Sequence, residues 1–164
     1  MRFNLLDRIT AMTAGKSVQA VKNLTLGEEY LADHFPTFPV MPGVLMLQTL
    51  VEAGSWLLRV TNDFRHSLVV LREAKNVKYG TFMEPGRQMH ITVDLLAQEE
   101  SGLATLKGKG EVGGQTTVSA RLVLFQYNLK DTRPECASVD QRLIDHLRDV
   151  YAFLTSANPV GIGS

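Results

Sequence analysis

The run Gly43–Val60 (GVLMLQTLVEAGSWLLRV) constrains this fold more than any other stretch. Its ionisable residues are Glu52 and, near its end, Arg59. Apolar residues fall on nearly every side at helical spacing, so a helix built from it has no broad polar face to turn to water. Eighteen residues are about enough to cross a bilayer. Gln48, Glu52, Gly54 and Ser55 interrupt the middle, however, and polar groups are expensive in hydrocarbon. The expectation is a helix buried inside a globular protein and wrapped by other structure. Pro42 fits the first helical position, where no N–H is lost and φ is already helical.

The flanking sequence supplies the wrapping. Lys16–Leu26 alternates loosely and reads as a strand, and Ser67–Arg72 is continuously apolar. Met89, Ile91, Val93 and Leu95 alternate with His90, Thr92 and Asp94. Gly102–Val112 and Thr116–Tyr127 follow as strands. Glu84-Pro85-Gly86 and Gly113-Gly114 mark turns, the second a hairpin. Phe3–Ile9 is a short apolar piece that packs on the core, and Glu28–Leu31 is one helical turn. In the loop Ala32–Met41, Pro36 and Pro39 force extended or turn geometry.

The sum is an α+β chain: an antiparallel sheet curled around one long central helix. With 164 residues, 45% of them apolar, the length suits one domain. A single sheet leaves an edge strand exposed, which dimerisation pairs.

The tail differs in character. Ser138-Val-Asp-Gln141 fits a capping box. Leu143, Leu147, Val150 and Leu154 then recur at helical spacing after a polar linker, Lys130–Ala137. This amphipathic helix packs either on its own domain or on a partner subunit, and Asn158–Ser164 frays.

Zero formal net charge gives no electrostatic footprint for nucleic acid or an anionic membrane. The lone Cys136 forms no internal disulfide, and no Cys/His spacing resembles a zinc site. A reducing, cytoplasmic setting is expected. The N-terminus lacks the apolar run of a secretory signal.

The segment His34-Phe-Pro-Thr-Phe-Pro-Val-Met-Pro-Gly-Val-Leu45 resembles the signature of the hotdog-fold beta-hydroxyacyl-acyl-carrier-protein dehydratases of fatty acid synthesis, the FabZ/FabA-like family. Leu5-Leu6-Asp7-Arg8 resembles the family's N-terminal segment, Lys22-Asn23-Leu24-Thr25 its strand before the active site, and Lys75–Arg87 its later strand ending in a Pro-Gly turn. The likeness spans roughly Phe3 to Tyr127, giving a hotdog domain over residues 1–129 and a linker with an extra C-terminal helix over 130–164. It implies a homodimer, often a trimer of dimers. The implied substrate is a 3-hydroxyacyl thioester on acyl carrier protein, converted to a trans-2-enoyl thioester without metal or redox cofactor.

That reaction needs a base, a donor for an enolate-like oxygen and an acid for the departing hydroxyl. Imidazole titrates in the right range, so His34 is the candidate base. The N–H of Gly43, at a helix start, is the candidate oxyanion donor. Glycine also lets substrate approach the backbone. By the resemblance, the histidine of one subunit meets the helix carboxylate of its partner, so the site spans the dimer.

The acid departs from the family. Its Glu or Asp falls on Gln48, which cannot donate as a carboxylic acid does. The family's glutamine one turn on is here Glu52. The two share a face but lie about 6 Å apart along the axis. Three readings follow: Glu52 acts as acid while Gln48 orients a water; the site binds acyl thioesters without dehydrating them; or Glu52 activates water in a thioesterase. Glu52 also has a structural alternative, pairing with a buried Arg or Lys or hydrogen-bonding across a dimer interface.

For the carrier, Lys75, Lys78 and Arg87 are candidate docking residues, although Gly80 and Thr81 stand where the family tends to carry arginines. A coenzyme A thioester is the alternative substrate. Trp56, Phe38, Met41, Met46 and Met83 are either core or acyl-tunnel wall. His66, His90 and His146 are expected at the surface.

Overall fold

The computed structural model describes residues 4–156. Six strands form one antiparallel sheet: β1 (Arg8–Thr13), β2 (Ser17–Asn23), β3 (Leu68–Tyr79), β4 (Gln88–Gln98), β5 (Leu103–Val112) and β6 (Gln115–Tyr127). Their order across the sheet is β1-β2-β4-β5-β6-β3. The central helix α1 (Gly43–Thr61) crosses the inner face, and a second helix, α2 (Ala137–Thr155), closes the chain. This is the hotdog architecture that the sequence implies, with a C-terminal helix added.

The apolar character of α1 is accounted for by what surrounds it. Leu50, Ala53, Leu57 and Leu58 are fully buried with Ile91, Val93, Leu106, Leu122 and Leu124 of the sheet. Burying each leucine contributes roughly 2 kcal/mol. The close approach depends on missing side chains. A Cβ on Gly108 would stand 3.1 Å from Leu50, and one on Gly54 3.3 Å from Leu106 and Leu124. Thr49 and Ser55, buried on the helix, return their hydroxyl protons to the carbonyls of Met46 and Val51. One strip of α1 stays partly open and carries Val44, Gln48, Glu52 and Arg59.

The Gly113-Gly114 hairpin forms as expected, with positive φ at both glycines. The single turn near Glu28 is a 3₁₀ turn, Glu29–Ala32. Other expectations need correction. Pro42 is the N-cap, with extended ψ of 137°, and Gly43 is the first helical residue. Leu5, Leu6 and Ile9 of the apolar N-terminal piece are buried as expected, but an unforeseen strand, Arg8–Thr13, starts within it; as an edge strand it buries only Ile9, so no alternation betrayed it. The apolar run ending at Arg72 and the family-like strand from Lys75 are one strand, β3, which runs through a polar stretch because the opposite edge of the sheet leaves those side chains in water.

The tail also corrects the sequence reading. The polar linker over residues 130–137 begins within the 3₁₀ turn Leu129–Asp131, holds a second, Pro134–Cys136, and ends on the first residue of α2. Ser138 lies inside the helix and caps nothing. The capping box that does form joins Asn128 and Asp131. Asp140, 3% exposed, instead accepts hydrogen bonds from the Ser67 hydroxyl and the amides of Leu129 and Lys130. Burial alone would raise its pKa, but these donors outweigh it and hold the carboxyl below its ordinary value. Leu154 enters the main core and Tyr151 packs on Trp56 and Phe64. Thus α2 packs on its own chain. The expectation for Asn158–Ser164 lies outside the described residues.

Asp140→Ala strands three donors in a buried corner. Urea unfolding is expected to show a loss of about 3 kcal/mol. Ser138→Ala, at an exposed position without a capping bond, is expected to stay within about 0.5 kcal/mol of wild type.

Candidate active site

The loop before α1 is closed on itself by short backbone bonds. Phe35 and Phe38 exchange N–H···O bonds of 3.2 and 3.0 Å, and the Val40 amide donates to the His34 carbonyl at 3.0 Å. Pro36, Pro39 and Pro42 have no N–H to leave unpaired in so tight a turn. The Met41 amide donates to the Met83 carbonyl, fastening the loop to the chain that follows β3.

This closure fixes the histidine. Nδ1 of His34 lies 2.9 Å from the Val40 carbonyl oxygen. A carbonyl only accepts, so Nδ1 carries the proton and Nε2 of the neutral ring keeps a free lone pair. The ring also stacks on Phe35, with centroids 4.3 Å apart. A half-buried imidazole held in this tautomer is ready to take a proton at Nε2.

Gly43 comes to the same place. The first helical bonds run from Leu45 and Met46 to the Pro42 carbonyl, leaving the amides of Gly43 and Val44 without acceptors among the described residues. His34, Gly43, Val40, Met41 and Met46 line one cavity of about 220 Å³ together with Tyr79, Gly80, Thr81, Phe82 and Thr117. The pair expected to do base and oxyanion chemistry therefore shares one pocket within a single chain.

Gln48 and Glu52 do not line that pocket. Glu52 turns toward the N-terminal segment, and its Oε2 accepts the Leu5 amide at 2.8 Å. Burial pushes the carboxyl up from 4.5 to about 7, against the opposing pull of the Leu5 and Leu6 amides and the Arg59 charge. Arg59 is itself pushed down to about 10 by burial, remains a cation at neutral pH, and stacks over Trp56 at 5.2 Å. Glu52 is thus held by a backbone amide, with Arg59 acting on it through its charge rather than as a salt-bridge partner.

The remaining candidates divide. Met41 and Met46 line the cavity, whereas Met83 is fully buried beside it. Phe38 stands edge-on to Phe82 at 5.7 Å, and Trp56 is core. His90 and His146 are exposed, as expected. His66 is not a free surface residue: its Nδ1 is buried without a partner among the described residues, and burial lowers its pKa. Lys75 pairs with Glu73 at 3.0 Å. At Gly80 a Cβ would meet the Thr116 carbonyl oxygen at 2.1 Å, so the backbone here leaves no room for a side chain.

Sequence reasoning missed two features. Strand pairing sets Lys75 opposite Arg121 and Arg121 opposite Lys107, a cationic row on the outer face. Tyr79 lays its ring against Gly43: a Cβ on that glycine would lie 3.0–3.2 Å from three ring carbons. Its place beside Lys78 in the family-like segment was the available signal.

A family model described as a FabA-like domain matches residues 1–121. The chain is 36% identical over 124 residues to the 3-hydroxyacyl-[acyl-carrier-protein] dehydratase FabZ of Shewanella amazonensis, covering 74% of this chain and 80% of that one. It is 32% identical over 120 residues to the same enzyme of Bacillus subtilis, covering 73% and 84%. Among solved structures it is similar to the dehydratase heterocomplex ApeI:P from Xenorhabdus doucetiae, with a TM-score of 0.65 at 17% identity, covering 82% and 90%.

Glu52 makes a prediction independent of turnover. An unfolded glutamate ionises near 4.5, whereas the folded one ionises near 7. Between those values the folded state holds the extra proton, so this residue's contribution to stability is full below pH 4.5 and is lost as pH rises through 7. At 1.36 kcal/mol per pKa unit the loss approaches about 3 kcal/mol. Denaturant titrations at pH 5 and pH 8 are expected to show that Glu52→Gln removes most of this difference.

Proposed function

The chain belongs to the FabA-like family of 3-hydroxyacyl-acyl-carrier-protein dehydratases, and on that footing we propose that it removes water from a 3-hydroxyacyl thioester to give a trans-2-enoyl thioester, with His34 as base. The carrying observation is the tautomer of His34, fixed by Val40, in the same cavity as the free amide of Gly43. Nε2 takes the proton from the carbon beside the thioester carbonyl. The Gly43 N–H, backed by the α1 dipole, stabilises the negative charge that develops on the carbonyl oxygen.

The functional unit in this proposal is a homodimer. β3 is a twelve-residue edge strand with Val70 and Leu71 partly exposed, and Phe35, Phe38, Val44, Tyr79 and Phe82 expose apolar surface around the cavity. Covering both satisfies the open strand edge and the apolar rim together. Gln48, on the open strip of α1, then orients water at the partner's pocket. An acidic acyl carrier protein is the proposed donor of substrate. Lys75 and Lys78 form its docking surface with Lys107 and Arg121, and complementary charge favours the encounter. Arg87 lies apart, in the turn leading to β4.

Glu52 is reassigned within this proposal. A carboxylate already accepting the Leu5 amide outside the cavity is an anchor for the N-terminal segment, rather than the relocated acid expected from sequence. The same contact argues against a thioesterase in which Glu52 activates water. It favours one second reading, an acyl-thioester-binding protein without turnover, because Gln48 has no acidic proton to give.

The test follows enoyl formation and free thiol together, using 3-hydroxyacyl groups on carrier protein and on coenzyme A. Wild type is expected to form enoyl product without thiol, and His34→Ala to lose on the order of 10²–10⁴ in rate. Retained turnover in Glu52→Gln supports the anchor role, whereas a hundredfold loss returns the acid to Glu52. Gln48→Glu is expected to raise the rate by supplying a carboxyl at the family position. Binding without enoyl formation supports the second reading, and released thiol indicates a thioesterase.

A further inference from the structure

Elimination still needs a proton for the leaving hydroxyl, and the cavity offers few sources. Its protic side chains are His34, Tyr79, Thr81 and Thr117. The His34 lone pair serves as the base, and its Nδ1 proton is held by Val40. Thr117 is fully buried, and its hydroxyl donates to the Gly110 carbonyl at 3.0 Å, beside Met89 Sδ. Threonine hydroxyls are in any case poor acids. The Tyr79 hydroxyl makes no hydrogen bond among the described residues, and its ring rests on Gly43, beside the proposed oxyanion donor.

Building on the dehydration reading above, we propose that the Tyr79 phenol is the general acid of this site, in the role that Gln48 cannot fill. A phenol protonates a leaving oxygen far more readily than an aliphatic hydroxyl or an amide does. It sits on the rigid end of β3, where the Gly80 amide donates to the Thr117 carbonyl at 2.8 Å and stops the strand from moving away.

The step balances within the site. His34 Nε2 takes the proton from C2, and the electron pair of that C–H bond forms the C2=C3 double bond. The C3–O bond breaks, and the departing oxygen takes the Tyr79 proton and leaves as water. The imidazolium then returns its proton to the phenolate, directly or through that water. Both side chains are restored, and the net change is loss of one water from the substrate.

The test compares purified wild type, His34→Ala, Tyr79→Phe and a variant with 3-fluorotyrosine at position 79. Tyr79→Phe is expected to lower kcat roughly 10²-fold, with KM within about twofold of wild type. Ring fluorination makes any phenol more acidic, so the alkaline limb of the kcat profile is expected to move to lower pH. His34, the other titratable side chain lining the cavity, is unaltered in that variant.

An active Tyr79→Phe, within threefold of wild type while His34→Ala is inactive, overturns the acid role and leaves the dehydratase reading standing. A slow Tyr79→Phe with no shift in the fluorotyrosine profile also overturns it, since ring packing alone would then explain the loss. If Tyr79→Phe does not fold, the fluorotyrosine profile, with the whole side chain retained, decides. Absence of enoyl product from wild type rejects the dehydratase reading and this inference with it.

Discussion

Everything in this structure depends on removing α1 from water. Its apolar sides have no use at a surface, so the sheet curls around it, and Gly54 and Gly108 let helix and strands approach until leucines interlock. A helix enclosed along its length keeps its chemistry at its ends and along whatever strip stays open. The N-terminal end carries unpaired amides and a favourable dipole, and the proline-rich loop brings a histidine to it. The site is thus a consequence of burying the helix.

The polar groups on α1 show the cost of that burial. Thr49 and Ser55 find acceptors within their own helix. Glu52 needs donors rather than acceptors and accepts the amide of Leu5, with Arg59 about two turns away supplying opposing charge. Its elevated pKa reflects how incompletely that arrangement replaces water. Asp140 illustrates the opposite balance: three donors converge on it, and its carboxyl stays ionised in a buried corner.

Tyr79 links sheet and site. It ends β3, the strand whose other edge is free, and its ring covers Gly43. The same strand carries Lys75 and Lys78 on the outer face beside Arg121 and Lys107. One edge strand therefore bears on three parts of the proposed function: dimer formation, carrier docking and the wall of the reaction cavity. A change in its register, which two bulges already adjust, alters all three together.

By itself, the sequence determined the buried helix, most of the strands and the meeting of His34 with Gly43. The helix and strands rest on local patterns, helical periodicity and alternation, whereas the meeting of His34 with Gly43 rests on the resemblance of the proline-rich motif to a family signature. The patterning of the sequence did not mark β1 or the far half of β3, the latter signalled only by the resemblance of Lys75–Arg87 to a family strand, because edge strands exposed to water lose the alternation that marks a strand. Nor did it determine where Glu52 points, what lies over Gly43, or that Asp140 rather than Ser138 fixes α2. Glu52 is 47 residues from Leu5, and Asp140 is 73 from Ser67. Contacts across such separations leave no periodic trace in the chain; they exist only once the sheet has closed around the helix.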